Sequence, residues 1–504
     1  MKRPISVEQV CIPGRRPNTL DLLLGLDVGT TTARALVFDL AGRPVAEAYR
    51  EVTIAHPQPG RAELDADECW RAMIEVIGEV LNRDESFSRR LLAIGFTGLL
   101  HALVPVDAEG NPLARAMLWL DHRCAPQAAW LWQQHGDLIR STTGATAMTS
   151  SNSAPKLRWL VEHEPALVEQ TATFLPMKDF VRLRLTGSIA TDPSDAAGTM
   201  LVDTRSGEWC VPLLDAIGVP IVKLPPIRGS TEVIGAVTAE AARATGLVAG
   251  TPAVVGAGDT TCTRIGANAE GTGRACIYMG TAAWIAAPRR RAGCFSATAT
   301  TGAALRWLVG LFDPAPGQPA SAAYTALLEE AASAPPGAAS LLFLPHLMGE
   351  RGPAYNPAAK GVLFGLTLAH GRAEMTRAVL EGCAFHIRSI LDQLSAEPLS
   401  EIIAVGGGAK SRLWRAILAS VTGLEVLVPE VLEAGALGAA ILAGVGVEVY
   451  AGVQEAAHEI VHIVSRDLPN PDDVGLYDRL YQVYVDLEAQ MTALYPRLPV
   501  AVGP

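Results

Sequence analysis

One short stretch of the chain places an acid and three hydroxyls on a turn between two apolar segments. Residues 25–39 read GLDVGTTTARALVFD, in which Asp27 precedes Gly29, Thr30, Thr31 and Thr32. A backbone that turns at glycine exposes successive N–H groups, and threonine hydroxyls extend that set of phosphate donors. Asp27 would repel a bare phosphate, so the turn predicts a Mg²⁺ ion between the two. An ordinary hairpin turn is the alternative.

A second aspartate, Asp259, follows an apolar segment and two glycines in AVVGAGDTT (253–261). The glycines let the backbone lie close to a ligand. An aspartate at a strand end can then accept a proton from a substrate hydroxyl. The alternative is that its carboxylate caps the helix that follows.

Glycine-containing turns recur later in the chain. RACIYMGTAAWIAAP (274–288) repeats the strand, Gly-Thr turn and strand of the first segment, and GGGAKS (406–411) precedes an amphipathic helix. A helix N-terminus favours anionic groups, so GGGAKS could receive a nucleotide. It lacks both the GxxxxGK[ST] loop and the GxGxxG pattern, because Ser411 stands where a glycine is needed. A plain strand-to-helix turn is the alternative.

A fourth group could line a pocket for a polyhydroxylated substrate. His101 follows Leu100 near a strand end, and Trp119, Asp121 and Arg123 are spaced at every second residue. Aromatic faces suit sugar C–H surfaces, and charged groups form bidentate hydrogen bonds. Taken singly, His101 also fits a core residue, and Asp121 with Arg123 fits a local ion pair.

Composition limits the class of protein. A chain of 504 residues predicts two or more domains. A net charge of −11 argues against a nucleic-acid or anionic-membrane partner. No apolar run reaches the ~18 residues that a membrane span needs. Scattered cysteines predict a cytoplasmic location, and residues 1–20 predict a flexible leader without a signal sequence.

Coarse patterning predicts an α/β protein with two similarly built halves. Residues 22–27, 33–39 and 45–54 read as a three-strand meander, followed by a helix capped by Asp65 or Asp67. Residues 477–495 read as an amphipathic terminal helix.

Several longer stretches then resemble the FGGY carbohydrate kinases, most closely their xylulokinase branch. Besides residues 25–39, they are SNSAPKLRWLVEHEP (151–165), PMKDFVRLRLTG (176–187), TDPSDAAGTMLVD (191–203), LPHLMGERGPAYNP (344–357), GVLFGLTLAH (361–370), RAVLEG (377–382) and VGGGAKSRLWR (405–415). The resemblance implies two ribonuclease-H-like (actin-like ATPase) domains around a central cleft. The N-terminal domain, 21–268, would bind sugar, and the C-terminal domain, 269–504, would bind ATP and Mg²⁺.

By position, the resemblance also implies roles for single residues. Asp259 matches the catalytic base, and Asp27 matches the metal-associated acid, with Asp259 beside it at the metal. The implied phosphate and nucleotide residues are Gly29, Thr30, Thr31, Thr32, Gly280, Thr281, Gly407, Gly408 and Arg412, with Glu433 and Gly435 nearby. The implied sugar residues are Leu100, His101, Trp119, Asp121, Arg123, Asp259 and Thr260.

Departures from the family pattern fall on the sugar side. Leu99 and Leu100 replace a glutamine and a methionine, Ala102 replaces glycine, and Thr260 replaces asparagine. Ala282 stands where many members have serine. The leading hypothesis is ATP-dependent phosphorylation of D-xylulose at O5, by a monomer or homodimer. L-xylulose, ribulose, erythritol or gluconate are alternative substrates. An actin-like nucleotide-dependent binding protein and a catalytically silent family member are alternatives of other kinds.

Overall fold

A computed structural model describes residues 18, 20–270, 273–287, 295–312, 320–352, 356–395 and 398–498. The predicted leader therefore lies almost entirely outside the described residues. By its contacts, the chain divides into two compact units, the first comprising 1–268 and 433–461 and the second 269–432 and 462–504. Among the described helices, none offers an apolar stretch long enough to cross a membrane.

The segment from residue 20 to 270 alternates strands and helices. Its strands are β1 (Leu22–Val28), β2 (Thr32–Asp39), β3 (Pro44–Glu51), β4 (Ile54–Ala55), β5 (Glu63–Leu64), β6 (Leu91–Gly98), β7 (Leu103–Val106), β8 (Ala116–Met117), β9 (Thr173–Pro176), β10 (Val202–Asp203), β11 (Glu208–Trp209), β12 (Val233–Ala236), β13 (Pro252–Val254) and β14 (Ala257–Gly258). Its helices are α1 (Ala66–Leu81), α2 (Phe87–Arg90), α3 (Ala125–Thr143), α4 (Ser153–His163), α5 (Pro165–Gln170), α6 (Met177–Thr186), α7 (Pro193–Gly198), α8 (Val211–Ile217), α9 (Ala239–Thr245) and α10 (Asp259–Gly266).

The remainder of the chain follows the same alternation. Its strands are β15 (Arg274–Met279), β16 (Ala283–Ala286), β17 (Phe295–Ala297), β18 (Leu342–Leu344), β19 (Val362–Phe364), β20 (Glu401–Val405), β21 (Glu425–Pro429) and β22 (Ile463–Asp467). Its helices are α11 (Gly302–Phe312), α12 (Ala320–Ser333), α13 (Arg372–Leu394), α14 (Arg412–Thr422), α15 (Ala434–Gly446), α16 (Val453–Ile460) and α17 (Pro471–Leu494).

The main sheets of the two units have the same pattern of strand directions, and β14 pairs with β6 as an additional strand of the first. The first runs β3-β2-β1-β6-β13-β12, and the second runs β17-β16-β15-β20-β21-β22. In each, the three leading strands form an antiparallel meander, the next two run parallel to its first strand, and the last is antiparallel. The predicted similarity of the two halves is therefore confirmed for the first four strands of each sheet, whereas β12 precedes β13 along the chain and β22 follows β21.

Small residues let α15 lie directly against the sheet and helix of the first unit. A Cβ added to Gly438 would lie 1.9 Å from the backbone oxygen of Cys262 in α10, and one added to Gly95 in β6 would lie 1.8 Å from that of Ala439. Close backbone approach of this kind requires glycine at the contact. The helix that begins at Asp259 is thereby held against α15.

Most predicted elements near the start of the chain are confirmed. The meander forms as β1 to β3, and α1 is capped by Asp65, whose side chain accepts the backbone N–H of Glu68 over 3.0 Å. The predicted terminal helix begins earlier, at Pro471, because Asn470 provides its N-terminal cap. Apolar strand residues of each unit form its core, with Leu26 and Phe96 fully buried in the first and Ile277 and Ile403 nearly so in the second.

Candidate active site

Three neighbouring strands of the first unit end side by side. Parallel pairing aligns Asp27 of β1 with Thr97 of β6, and Thr97 with Ala257 of β14. The next row aligns Val28, Gly98 and Gly258 in the same way. Because Asp259 follows Gly258 directly, the two aspartates that the sequence singled out lie at one edge of this sheet.

Asp259 is the first residue of α10 and not its cap. Gly258 occupies the cap position, and no cap hydrogen bond from a side chain is present there. Oδ1 of Asp259 accepts the backbone N–H of Thr260 over 2.6 Å and lies 3.1 Å from the Thr260 hydroxyl. The carboxylate therefore accepts an N–H group of the first helical turn without occupying the cap position, and its partly exposed position agrees with a role toward a ligand.

The surroundings of Asp27 hold an excess of acidic groups. Burial raises the pKa of Asp27 to about 7; Arg34 opposes this shift, whereas the carboxylates of Asp259 and Glu433 add to it. Arg34 forms an ion pair with Glu433, which precedes α15. Two further carboxylates and one guanidinium thus act on Asp27, an acidic excess that favours a bound cation.

The threonine turn contacts a residue from the predicted sugar group. Gly29 donates its backbone N–H to the carbonyl oxygen of Thr32 over 2.8 Å, which closes the turn between β1 and β2. The indole N–H of Trp119 donates to the hydroxyl of Thr30 over 3.1 Å. Thr31 is exposed, and Thr30 is partly exposed. The structure therefore brings Trp119 to the turn that the sequence assigned to phosphate.

Leu100 and His101 lie beside the segment that carries Asp259. His101 has a left-handed backbone conformation (φ 68°), and its Nδ1 lies 2.8 Å from the carbonyl oxygen of Gly198, which fixes the ring. A Cβ added to Gly258 would lie 2.5 Å from Cδ2 of Leu100. The apolar Leu100 side chain thus contacts the residue just before the candidate base.

Asp121 and Arg123 form the local ion pair that the sequence left as an alternative. Asp121 is fully buried, and its Oδ2 lies 2.6 Å from Nη2 of Arg123 and accepts the backbone N–H of Ala62 over 2.9 Å. Arg123 also pairs with Glu63 and lies over the ring of Trp159. Direct contact of this pair with sugar stays a prediction.

A buried charge network behind Asp259 received no role from the sequence. Nζ of Lys178 lies 2.7 Å from Asp179, 2.9 Å from Asp192 and 2.9 Å from Asp195. The network reaches the β14 strand because the backbone N–H of Gly258 donates to the hydroxyl of Ser194 over 2.9 Å. The available signals were Lys178 and Asp179 between the apolar residues of PMKDFV, and the two aspartates of TDPSDA.

Arg182 extends this network to the loop before β14. Its guanidinium lies 2.6 Å from Asp179 and donates to the carbonyl oxygen of Val255 over 2.8 Å. Burial raises the pKa of Asp195 well above its usual value; Lys178 opposes the shift, and the neighbouring Asp192 and Asp179 add to it. The network therefore holds the 255–258 segment by buried polar contacts.

The second unit brings its two predicted nucleotide turns together. The Gly280–Thr281 turn joins β15 to β16, and its carbonyl oxygens accept N–H groups of Thr301, Gly302 and Ala303 at the start of α11. β15 pairs in parallel with β20, which aligns Tyr278 with Val405. The glycine loop after β20 therefore begins beside the Gly280 turn.

Glycine is required in that loop because neighbouring atoms leave no room for a side chain and because one residue has a left-handed backbone conformation. Gly406 has φ +84°, and a Cβ added to Gly408 would lie 2.8 Å from Cβ of Met279. Gly407 and Arg412 are exposed, and Ser411 caps α14 by accepting the backbone N–H of Trp414. The predicted strand-to-helix geometry is confirmed, while the adenosine role of Gly407, Gly408 and Arg412 stays a prediction.

Comparison with known proteins identifies the family. The N-terminal domain model of the FGGY family of carbohydrate kinases matches residues 22–266, and the C-terminal domain model matches residues 249–447. Xylulose kinase of Escherichia coli K12 is 31% identical over 93% of this chain and 100% of its own length. L-xylulose/3-keto-L-gulonate kinase of the same strain is 30% identical over 94% and 98%.

A solved structure supports the same assignment. Gluconate kinase from Lactobacillus acidophilus superposes with a TM-score of 0.85 at 26% identity, covering 95% of this chain and 99% of that chain. These similarities confirm the predicted class of two ribonuclease-H-like α/β domains and the prediction of a carbohydrate kinase. They also set aside the actin-like binding protein as an alternative. Matched by both domain models and by relatives of at least 30% identity along nearly its whole length, the chain belongs to the FGGY family of carbohydrate kinases.

Proposed function

We propose that this carbohydrate kinase transfers the γ-phosphate of ATP to O5 of D-xylulose. The observation that carries the proposal is the common edge formed by Asp27, Asp259 and the Leu100–His101 segment in the first unit. The similarity to E. coli xylulose kinase, at 31% identity, supports the choice of sugar.

Asp259 acts as the general base in this proposal. Its partly exposed carboxylate, fixed by Thr260 and by the Gly258–Ser194 contact, orients the attacking hydroxyl and accepts its proton. His101 and Trp119 bind sugar hydroxyls and C–H surfaces beside it. Phosphoryl transfer asks the protein mainly for such positioning and for stabilisation of charge.

The residues around Asp27 fit a Mg²⁺ ion. Mg²⁺ prefers oxygen ligands and is usually bound by one or two carboxylates together with phosphate oxygens and water. Asp27 and Asp259 provide carboxylates, and the acidic excess around Asp27 favours a cation. When bound, Mg²⁺ offsets the phosphate charge that Asp27 would otherwise repel.

In this proposal, the Gly-Thr turns and the glycine loop bind the nucleotide. The turn at 29–32 and Gly280 with Thr281 bind phosphate oxygens through backbone N–H groups and threonine hydroxyls. Gly407, Gly408 and the exposed Arg412 receive the adenosine. A cytoplasmic location and a homodimer stay predictions from the sequence.

A substrate screen tests the choice of sugar. Release of ADP would be followed with D-xylulose, L-xylulose, D-ribulose, erythritol and gluconate at matched concentrations. D-xylulose should give the highest kcat/KM. L-xylulose and gluconate are the next candidates, because kinases named for these substrates are among the similar proteins. Leu100 and Thr260, which depart from the family pattern at the sugar positions, also favour another substrate. A clear preference for either would remove D-xylulose as the substrate.

A further inference from the structure

Four titratable side chains that the kinase proposal does not use meet inside the second unit. His346 and Glu350 lie in the loop after β18, His386 lies within α13, and Glu488 lies in α17. His346 is 2% exposed, His386 is fully buried and Glu350 is 6% exposed. Three segments that are far apart in sequence therefore bring two imidazoles and two carboxylates together.

Glu350 contacts one nitrogen of each imidazole. Its Oε2 lies 2.8 Å from Nδ1 of His346 and 3.1 Å from Nε2 of His386. Its Oε1 accepts the backbone N–H groups of Arg351 and Gly352, which fixes the carboxylate. We call the nitrogen of each ring that lies nearer Glu350 its outer nitrogen. In metal sites, a carboxylate that contacts the outer nitrogen of a histidine orients the ring toward the ion.

The other nitrogen of each ring faces Glu488. Nε2 of His346 lies 3.2 Å from Oε1 of Glu488, and Nδ1 of His386 lies 4.0 Å from the same oxygen. The hydroxyl of Tyr484 lies 3.4 Å from Nδ1 of His386. One ligand atom from each of His346, His386 and Glu488 lies within 4.8 Å of the other two.

His346 contacts a carboxylate at each ring nitrogen, so without a metal ion it needs a proton on both. When both rings are neutral with the proton on the nitrogen nearer Glu350, the other two nitrogens and the Glu488 carboxylate present lone pairs to a metal ion. Although Nε2 of His386 lies 3.1 Å from Glu350, it makes no hydrogen bond with any residue that the structure describes. A cation bound at the nitrogens nearer Glu488 would replace the second proton of His346 and give the His386 ring a bonded partner.

We propose that His346, His386 and Glu488 bind one divalent transition-metal ion, with Glu350 as the carboxylate that positions both histidines. Two imidazoles and one carboxylate are a ligand set that Zn²⁺ takes, whereas Mg²⁺ prefers oxygen alone. Glu488 is 29% exposed, so water can reach the ion and complete its coordination. The ion would tie α17 and the loop after β18 to α13, all within the second unit.

Zinc binding to the intact, untagged chain tests the site. After removal of metal with a chelator, the protein would be titrated with ZnCl₂ and followed by calorimetry and thermal unfolding. We expect one high-affinity Zn²⁺ per chain and a Tm higher by about 5 °C at a hundredfold excess over Kd. Glu488→Gln and His386→Gln should abolish this binding, and Glu350→Gln should weaken it by about 10- to 100-fold.

His462→Gln provides the matched control, since His462 is an exposed histidine of the same unit. It should bind Zn²⁺ like the wild type. If His386→Gln fails to fold, Glu488→Gln still decides, because its side chain lies at the partly exposed end of the cluster. The proposal is overturned if the wild type gains no stability from Zn²⁺, or if Glu488→Gln gains as much. Either result would make the cluster a network of ion pairs without metal.

Discussion

Trp119 donates its indole N–H to the hydroxyl of Thr30 over 3.1 Å. The contact joins a residue assigned to sugar with a residue assigned to phosphate, in the same unit. It fixes the hydroxyl of Thr30, one of the three threonines in the turn.

Trp119→Phe should therefore lower kcat/KM by about 2- to 10-fold, because one neutral hydrogen bond contributes roughly 0.5–1.5 kcal/mol. Steady-state kinetics with sugar and ATP varied in turn would measure it. Trp130→Phe is the control, since Trp130 is an exposed residue of α3. Equal kinetics for the wild type and both variants would show that the contact does not organise the turn.

Lys178 lies among three buried carboxylates, so its removal should destabilise the first unit. Lys178→Met leaves buried acids without their cation and should lower the free energy of unfolding by about 3–5 kcal/mol. Asp195→Asn should cost less than Lys178→Met, because burial and the neighbouring Asp192 and Asp179 disfavour the charge that this substitution removes. Urea unfolding would compare them, and equal losses would contradict this account of the network.

Gly438 lets α15 approach α10 closely. Gly438→Ala places a Cβ 1.9 Å from the Cys262 backbone oxygen, so the helices must separate, at a cost of at least about 2 kcal/mol. Gly78→Ala is the matched control in α1, where an added Cβ meets no atom within 4 Å. The control should stabilise the protein by about 0.5–1 kcal/mol. Thermal unfolding of both variants checks this, and an unchanged Tm for Gly438→Ala would refute the close packing.

Lys156 gives stability a dependence on pH. Its ammonium donates to the carbonyl oxygens of His101 and Ser151 over 2.8 and 3.0 Å, and burial lowers the pKa of Lys156 to about 7. Between that value and the usual 10.5 the unfolded chain binds more protons, so stability should rise with pH through this window. Lys156→Met should flatten the rise between pH 7 and pH 9 in urea unfolding. An identical slope in wild type and variant would contradict the lowered pKa.

Local patterns predicted much of the fold because they depend only on consecutive residues. The β1–β3 meander, the Asp65 cap and the strands before the glycine turns all follow from periodicity and turn chemistry. The role of α15 could not be predicted, since a run of alanine and glycine does not determine which backbone the helix packs against. Its contacts with Cys262 and the β6 strand depend on residues far away in sequence.

The candidate site was predictable in its parts and not in its connections. Asp27 and Asp259 stood out as acids at strand ends, yet only the pairing of β1, β6 and β14 places them at one edge. The Lys178 network and the His346–His386 cluster escaped notice because their members come from separate segments. No local spacing marks groups that meet only on folding.

The direct test of the central claim is the turnover of Asp259→Asn with ATP binding measured in the same preparation. Loss of the base should reduce kcat by about 10²- to 10⁴-fold, while ATP binding stays close to that of the wild type. Asp215→Asn, an exposed aspartate of the same unit, should keep full activity. Near-normal turnover by Asp259→Asn would contradict the assignment of Asp259 as the base.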